Sequence, residues 1–149
     1  MKKLLFLLPL LAIISCSPER VYIDDTQPER VHIDDTQDND EAAMRFYQGK
    51  PFTGIAYDVY SEGQLKFEGT YKDGKEDGLY QYWYENGQLR FKVTSKDGKE
   101  DGLFQYWYEN GQLKFERTYK DGKKNGLYQR WDENGALIEQ SNWKNGFLQ

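Results

Sequence analysis

The residue types that carry most catalytic and metal chemistry are almost absent from this sequence. It holds one cysteine, Cys16, and one histidine, His32. A single cysteine excludes an internal disulfide, and one cysteine with one histidine cannot build a four-ligand structural zinc site. His32 sits in the second of two near-identical decapeptides, PERVYIDDTQ (residues 18–27) and PERVHIDDTQ (28–37), where the first copy has Tyr22. A position that takes tyrosine in its duplicate is a poor candidate for general-base work. The paired acids Asp24-Asp25 and Asp34-Asp35 lack the spacing of a calcium loop. The recurring carboxylates Asp73, Asp97, Asp121, Glu76 and Glu100 stand at regular intervals beside glycines, which turn chemistry explains. The sequence shows no Ser/His/Asp set and no phosphate-binding loop. These counts predict a protein that binds rather than catalyses, with no metal and no cofactor.

The chemistry left to Cys16 depends on what precedes it. Lys2 and Lys3 lead into an apolar run of eleven residues, 4–14, too short to span a bilayer permanently but suited to the h-region of a secretory signal. The run closes in Ile13-Ile14-Ser15-Cys16, which resembles the lipobox of bacterial lipoproteins. That resemblance implies cleavage after residues 1–15 and acylation of Cys16 as the first mature residue. Several buried acyl chains, at ~0.8 kcal/mol per CH₂, hold a protein on a membrane. In enteric bacteria an Asp at the next position retains such proteins in the inner membrane, so Ser17 favours the outer one.

Composition divides the rest of the chain into two parts. Residues 17–50 carry nine acidic and four basic side chains, against a net charge of −5 for the whole chain. So charged a stretch is expected to be a disordered linker, covering 16–44 and containing the tandem decapeptide. A flexible chain of about 35 residues would span roughly 30–35 Å on average. The aromatics lie elsewhere: 19 of the 24 fall in residues 54–149, whose net charge is only −2. An acidic chain without a basic face argues against a nucleic-acid partner.

Residues 54–149 divide without gaps into four blocks of 24: 54–77, 78–101, 102–125 and 126–149. Fixed-period similarity marks an extended array. Each block has two strand-like runs rich in Tyr, Trp, Phe, Leu and Thr. One turn is Asn86-Gly87, Asn110-Gly111 or Asn134-Gly135, with Glu62-Gly63 in the first block. The other is Asp73-Gly74, Asp97-Gly98, Asp121-Gly122 or Asn145-Gly146. Asn-Gly between apolar runs predicts a two-residue type I′ hairpin. The fold class is therefore all-β, an extended single-layer antiparallel meander of hairpins. Residues 45–53 form a partial repeat capping the first hairpin, with a bulge expected near Pro51.

Two-residue loops set a register. They place Tyr84 opposite Leu89, Tyr82 opposite Phe91 and Tyr80 opposite Val93 on one face, and the next turn sets Phe91 opposite Phe104 and Leu89 opposite Tyr106. The other face then pairs Trp83 with Arg90, Trp107 with Lys114 and Gln81 with Lys92, leaving each Trp under a basic side chain.

The recurring Gly-Leu-Tyr-Gln, Tyr-Glu-Asn-Gly-Gln-Leu and Tyr-Lys-Asp-Gly-Lys segments resemble the bacterial MORN-variant repeat, as found in YwqK-family antitoxin proteins. The likeness covers the four blocks and the lead-in at 50–54. It implies a long single sheet of hairpins, a scaffolding or binding role, no catalytic residues, and neutralisation of a partner toxin in the cytoplasm. The lipoprotein-like signal points instead to the cell envelope.

The expected function is a membrane-anchored binding or scaffolding module with a protein partner, a toxin being one candidate. Its candidate strip is Tyr80, Tyr82, Tyr84, Phe104, Tyr106 and Tyr108, central in the array. The first and last blocks put Ala56, Asp58 and Tyr60, or Tyr128, Arg130 and Asp132, at those positions. Two alternatives stand beside it. The strip's rings are the sheet's own core in a purely structural envelope protein, or the hairpins bind cell-wall glycan. For the latter, Tyr/Trp hairpins are similar to choline-binding modules, although those carry Gly-Trp pairs where Gly here precedes Leu or Ile.

Overall fold

Tyr, Trp, Phe, Thr and Val fill the runs between the glycine turns, and such side chains suit a pleated surface. A computed structural model describes residues 29–39 and 44–149; Cys16, the signal segment and the first decapeptide lie outside the described residues. The chain runs through β1 (Arg30–His32), a 3₁₀ turn (Ile33–Asp35), β2 (Thr36–Asn39), β3 (Met44–Tyr47), β4 (Lys50–Pro51), β5 (Gly54–Val59), β6 (Leu65–Lys72) and β7 (Lys75–Trp83). It continues through β8 (Leu89–Lys96), β9 (Lys99–Glu100), β10 (Gly102–Trp107), β11 (Leu113–Lys120), β12 (Lys123–Trp131), β13 (Leu137–Lys144) and β14 (Phe147–Leu148). Eleven of these strands form one sheet in the order β1-β5-β6-β7-β8-β10-β11-β12-β13-β14, with β9 beside β8. From β5 onward it is an antiparallel meander, as expected. A separate three-stranded sheet is built from β2, β3 and β4.

The second decapeptide is the first departure. Part of the segment expected as linker is strand: β1 lies parallel to β5, with Val31 beside Ala56, and β2 pairs with β3. The averaged polarity of the segment hides the reason. Val31 is buried against Ala56, Phe52, Phe67 and Tyr71, and Ile33 and Tyr47 pack on the same cluster. Arg30 reaches Glu68, and the Ile55 N–H donates to the Glu29 carbonyl at 2.6 Å. Gly54 permits this approach, since a Cβ there would collide with the Glu29 carbonyl and the Phe52 ring. Near Pro51 the chain changes sheets, β4 pairing with β3 and β5 with β6. Gln48-Gly49 is a further tight turn, with φ of 50° and 75°.

The turns divide into two kinds. Asp73, Asp97, Asp121 and Asn145 have φ near +50°, and each precedes a positive-φ glycine (Gly74, Gly98, Gly122, Gly146). These are the two-residue turns with positive φ at both central residues. At Asn86-Gly87 only the glycine is positive, at 81°. Tyr84 accepts from the Gly87 N–H at 2.9 Å and donates its own N–H to Gln88 at 2.8 Å, so the loop is Glu85-Asn86-Gly87. Gly63, Gly111 and Gly135 close equivalent three-residue loops. The type I′ reading of the Asn-Gly turns is thus corrected: a type I turn with a glycine bulge takes its place.

The pairings of Tyr82 with Phe91 and Tyr80 with Val93 nevertheless come out as expected, because a second irregularity cancels the first, whereas the expected places of Leu89 opposite Tyr84 and Tyr106 are corrected: Tyr84 meets Gln88 and Tyr106 meets Phe91. Trp83 pairs with Leu89, Arg90 is left over, and Tyr82 meets Phe91 and Tyr80 meets Val93. At the other edge the Asp97-Gly98 turn pairs Lys96 with Lys99, after which the register moves by two and Phe91 faces Tyr106, not Phe104. A shift of two leaves every side chain on its face.

Candidate binding face

The six strip residues sit on one half-buried surface of the sheet but have three different local roles. Tyr80 and Tyr82 pack on the core around Phe67, at ring distances of 4.9 and 4.7 Å. The Tyr80 hydroxyl meets that of Tyr71. Burial pushes the Tyr80 phenol well above its ordinary value, with the Tyr71 and Glu76 oxygens adding to the effect. Burial likewise raises Tyr82.

Phe104 and Tyr106 belong to a stack that runs along the face. Tyr82 lies on Phe91 at 4.7 Å, Phe91 on Phe104 at 5.6 Å, Phe104 on Phe115 at 5.6 Å and Tyr106 on Phe115 at 5.3 Å, with planes within 23° of parallel. Strands alternate their side chains, so each ring has its neighbour on the adjacent strand. Tyr128 ends the stack beside Phe115. In the last block Arg130 and Glu139 hold the next positions and pair at 2.9 Å.

Tyr84 and Tyr108 serve as clamps between hairpins. Tyr84 donates to the Trp107 carbonyl at 2.8 Å and Tyr108 to the Trp131 carbonyl at 3.0 Å; Tyr60 does the same to Trp83. Asn86 and Asn110 extend this ladder, donating to the carbonyls of Glu109 and Glu133. The opposite edge has its own ladder: the N–H groups of Asp97, Asp121 and Asn145 donate to the side chains of Asp77, Asp101 and Asn125 in the preceding block. The eight turn glycines lie along these two edges as structural residues.

Basic side chains gather on the aromatic face. The expected pairing of Trp83 with Arg90 and of Trp107 with Lys114 is corrected, because the bulges beside the three-residue loops turn Arg90 and Lys114 over to the tyrosines. Arg90 donates to the Tyr106 hydroxyl at 3.0 Å and lies 5.6 Å from the Tyr84 ring. Lys114 lies 5.5 Å from Tyr106 and 5.0 Å from Tyr108. Burial would raise the Tyr106 phenol, but the hydrogen bond from Arg90, the neighbouring Tyr84 hydroxyl and the charges of Arg90 and Lys114 hold it below its ordinary value. Tyr84 is pushed up to about 12 by burial and by its neighbour Tyr106. A shallow cleft of about 460 Å³ at this edge is lined by Tyr60, Tyr84, Glu85, Asn86, Arg90 and Glu109.

One residue on this face escaped the sequence reading. Arg117 lies 4.9 Å from the Phe104 ring, 5.3 Å from Phe115 and 5.0 Å from Tyr119. Aligning the blocks would have exposed it, since the equivalent positions hold Gly69, Val93 and Ser141. The opposite face is plainer. Leu79, Leu103 and Leu127 recur there as exposed rungs, Gln105 and Gln129 reach across to Glu116 and Gln140, and Lys92 lies 5.6 Å from Trp107.

A family model described as MORN repeat variant matches residues 52–73, 76–97, 100–121 and 124–145. Each matched unit opens two residues before the 24-residue block and ends inside the next Asp-Gly or Asn-Gly edge turn. No curated protein matches the chain.

Proposed function

The chain belongs to the MORN repeat variant family, and from that premise we propose that it is a non-catalytic, lipid-anchored protein that presents its aromatic face to a protein partner. The observation that carries this reading is the ring stack from Tyr82 through Phe91, Phe104 and Tyr106 to Phe115, lying half-buried on a sheet face with cations around it. Tyrosine and arginine dominate binding hot spots, because they bury much area with few rotatable bonds and still offer polar atoms. The lipobox-like Ile13-Ile14-Ser15-Cys16 supports an anchor at Cys16 in a bacterial envelope, with Ser17 favouring the outer membrane. In that setting the partner is a protein met at the membrane, and neutralisation of a toxin is one form the interaction takes.

The test is affinity capture from envelope extracts with the full chain and with a Tyr106→Ala/Phe115→Ala double variant. A partner held by the first and lost by the second, with far-UV circular dichroism retained, supports the reading. Equal capture by both removes the aromatic face from the interaction. Sedimentation with purified peptidoglycan, unaffected by the double variant, would place the function in glycan binding instead. Cys16→Ser should abolish fatty-acid labelling in cells; a variant that still takes up label ends the anchoring claim.

A further inference from the structure

Arg117 stands out among the cations of the aromatic face because three rings surround it and, among the described residues, it has neither an ion pair nor a hydrogen bond. Lys66 is paired with Asp58 at 2.6 Å, Arg130 with Glu139 at 2.9 Å, and Arg90 donates to a phenol. Among the described residues Arg117 has no ion pair and no hydrogen bond, and its Nε is buried without a partner. The register sets it between Phe104 and Tyr128, and three rings surround its guanidinium. Lys114, three residues earlier on the same strand, also lacks a carboxylate and rests on Tyr106 and Tyr108.

A guanidinium uses its two sides for different purposes. Its plane stacks on aromatic rings, and its N–H edge forms paired hydrogen bonds to a carboxylate; with the Arg117 Nε buried, the two Nη groups are the donors left for such a contact. The rings also lower the local dielectric and fix the side chain beforehand, so that a carboxylate arriving there finds a donor already oriented.

We propose that Arg117 is the anchoring residue for a carboxylate side chain of the partner, with Lys114 as a second contact, so that the aromatic face takes an acidic, aromatic-rich polypeptide segment. This deepens the function proposed above and rests on it. The face fits one or two carboxylates among apolar contacts. It fits an evenly charged polyanion poorly, because Glu76, opposite Tyr71, Glu100, opposite Ser95, and Glu139, opposite Arg130, share the surface and would repel it.

Selection of a random peptide library on the immobilised full chain tests the proposal, with Arg117→Gln, Lys114→Gln and Tyr106→Ala as parallel baits. Arg117→Gln keeps the aliphatic stem and should keep the far-UV spectrum. Peptides selected on the unaltered chain are expected to be enriched in Asp or Glu next to aromatic residues. Their affinity should fall about tenfold or more on Arg117→Gln, as loss of a charged hydrogen bond implies, and by less on Lys114→Gln. Selected peptides without acidic enrichment, or acidic peptides that bind Arg117→Gln equally well, overturn the Arg117 proposal and leave the aromatic face standing as the binding surface. Peptides that bind the Tyr106→Ala bait unchanged, or no enrichment on any bait, overturn the binding face itself. Phosphatidylglycerol vesicles that bind the unaltered chain and not Arg117→Gln would reassign the site to a lipid phosphate and refute the polypeptide reading.

Discussion

The two ends of the sheet are built from nearly the same repeat and are held together differently. At the β5–β6 end Ala56, Phe67 and Phe52 are almost fully buried, because β1 and the β3–β4 hairpin lie against the first repeat. At the β13–β14 end Leu137 and Ile138 are about half exposed and Phe147 is 74% exposed. A single sheet has no second layer to cover its faces, so a contiguous buried cluster forms where other chain segments are laid on it, and elsewhere only separate side chains such as Val93 and Tyr119 are buried. Toward the last repeat, order rests on the ring stack, on strand pairing and on the turn ladders, none of which needs a closed interior. Sequence similarity among repeats therefore does not equalise their energetics.

The sharpest test of that contrast is Phe67→Ala. Removing a fully enclosed ring should cost about 3–5 kcal/mol in urea unfolding, whereas Phe115→Ala, on the half-buried stack, should cost roughly half as much. Equal losses would mean that the core is not localised. Gly69→Ala comes next. An added Cβ would run into the Tyr80 and Phe67 rings, and such overpacking should cost about 1–3 kcal/mol. Tyr84→Phe removes one inter-repeat bond, to the Trp107 carbonyl. It should cost about 0.5–1.5 kcal/mol and raise amide exchange in β10 more than in β5.

A smaller effect concerns acid. Burial would raise Asp58, but the Lys66 hydrogen bond and charge, the Val59 N–H and His32 together hold its carboxyl below the usual carboxylate value. A carboxylate lowered on folding contributes stability above its unfolded pKa and loses it as pH falls through the lowered one. Urea midpoints should therefore decline on the acid side of the ordinary carboxylate range, and Asp58→Asn should flatten that limb. The second and third repeats have Tyr82 and Tyr106 at this position, although Asp101, held low by its hydrogen bonds from Lys120 and the Asp121 N–H, acts in the same direction. Leu137→Ser, at the open end, should lie within about 0.5 kcal/mol of the parent; a loss comparable to Phe67→Ala would contradict the contrast altogether.

Much of this architecture was legible in the sequence, and the misreadings have physical causes. Asn86-Gly87 and Asp97-Gly98 look equivalent as dipeptides. Asn86, however, commits its side chain to the Gln88 N–H and to Glu109 of the next block, a contact that a single hairpin does not contain. The pairing of Tyr82 with Phe91 survived the wrong loop because Arg90 bulges out to compensate. That bulge is also why the tryptophans and the basic residues came out on the wrong partners. Val31 was lost in a charged average, since one buried side chain settles the fate of a segment that composition marks as polar. Tyr80 and Tyr82 were correctly placed on a shared face with Tyr106, and Phe67 is the cross-strand partner of Tyr82, but the near-complete burial of Phe67 comes from the covering segments, which periodicity cannot show.

The turn ladders have a kinetic consequence. Each link between one hairpin and the next spans 20 to 23 residues of chain. Loops that short cost little entropy to close, and they cost much the same at every repeat. Folding is then free to start in whichever hairpin forms first and to spread in both directions, faster than is usual for all-β proteins dominated by distant pairings. Excising a whole block of 24 residues leaves the remaining links in register. The array is thus built to gain or lose length in units, while a one-residue insertion within a strand would turn every later ring to the opposite face.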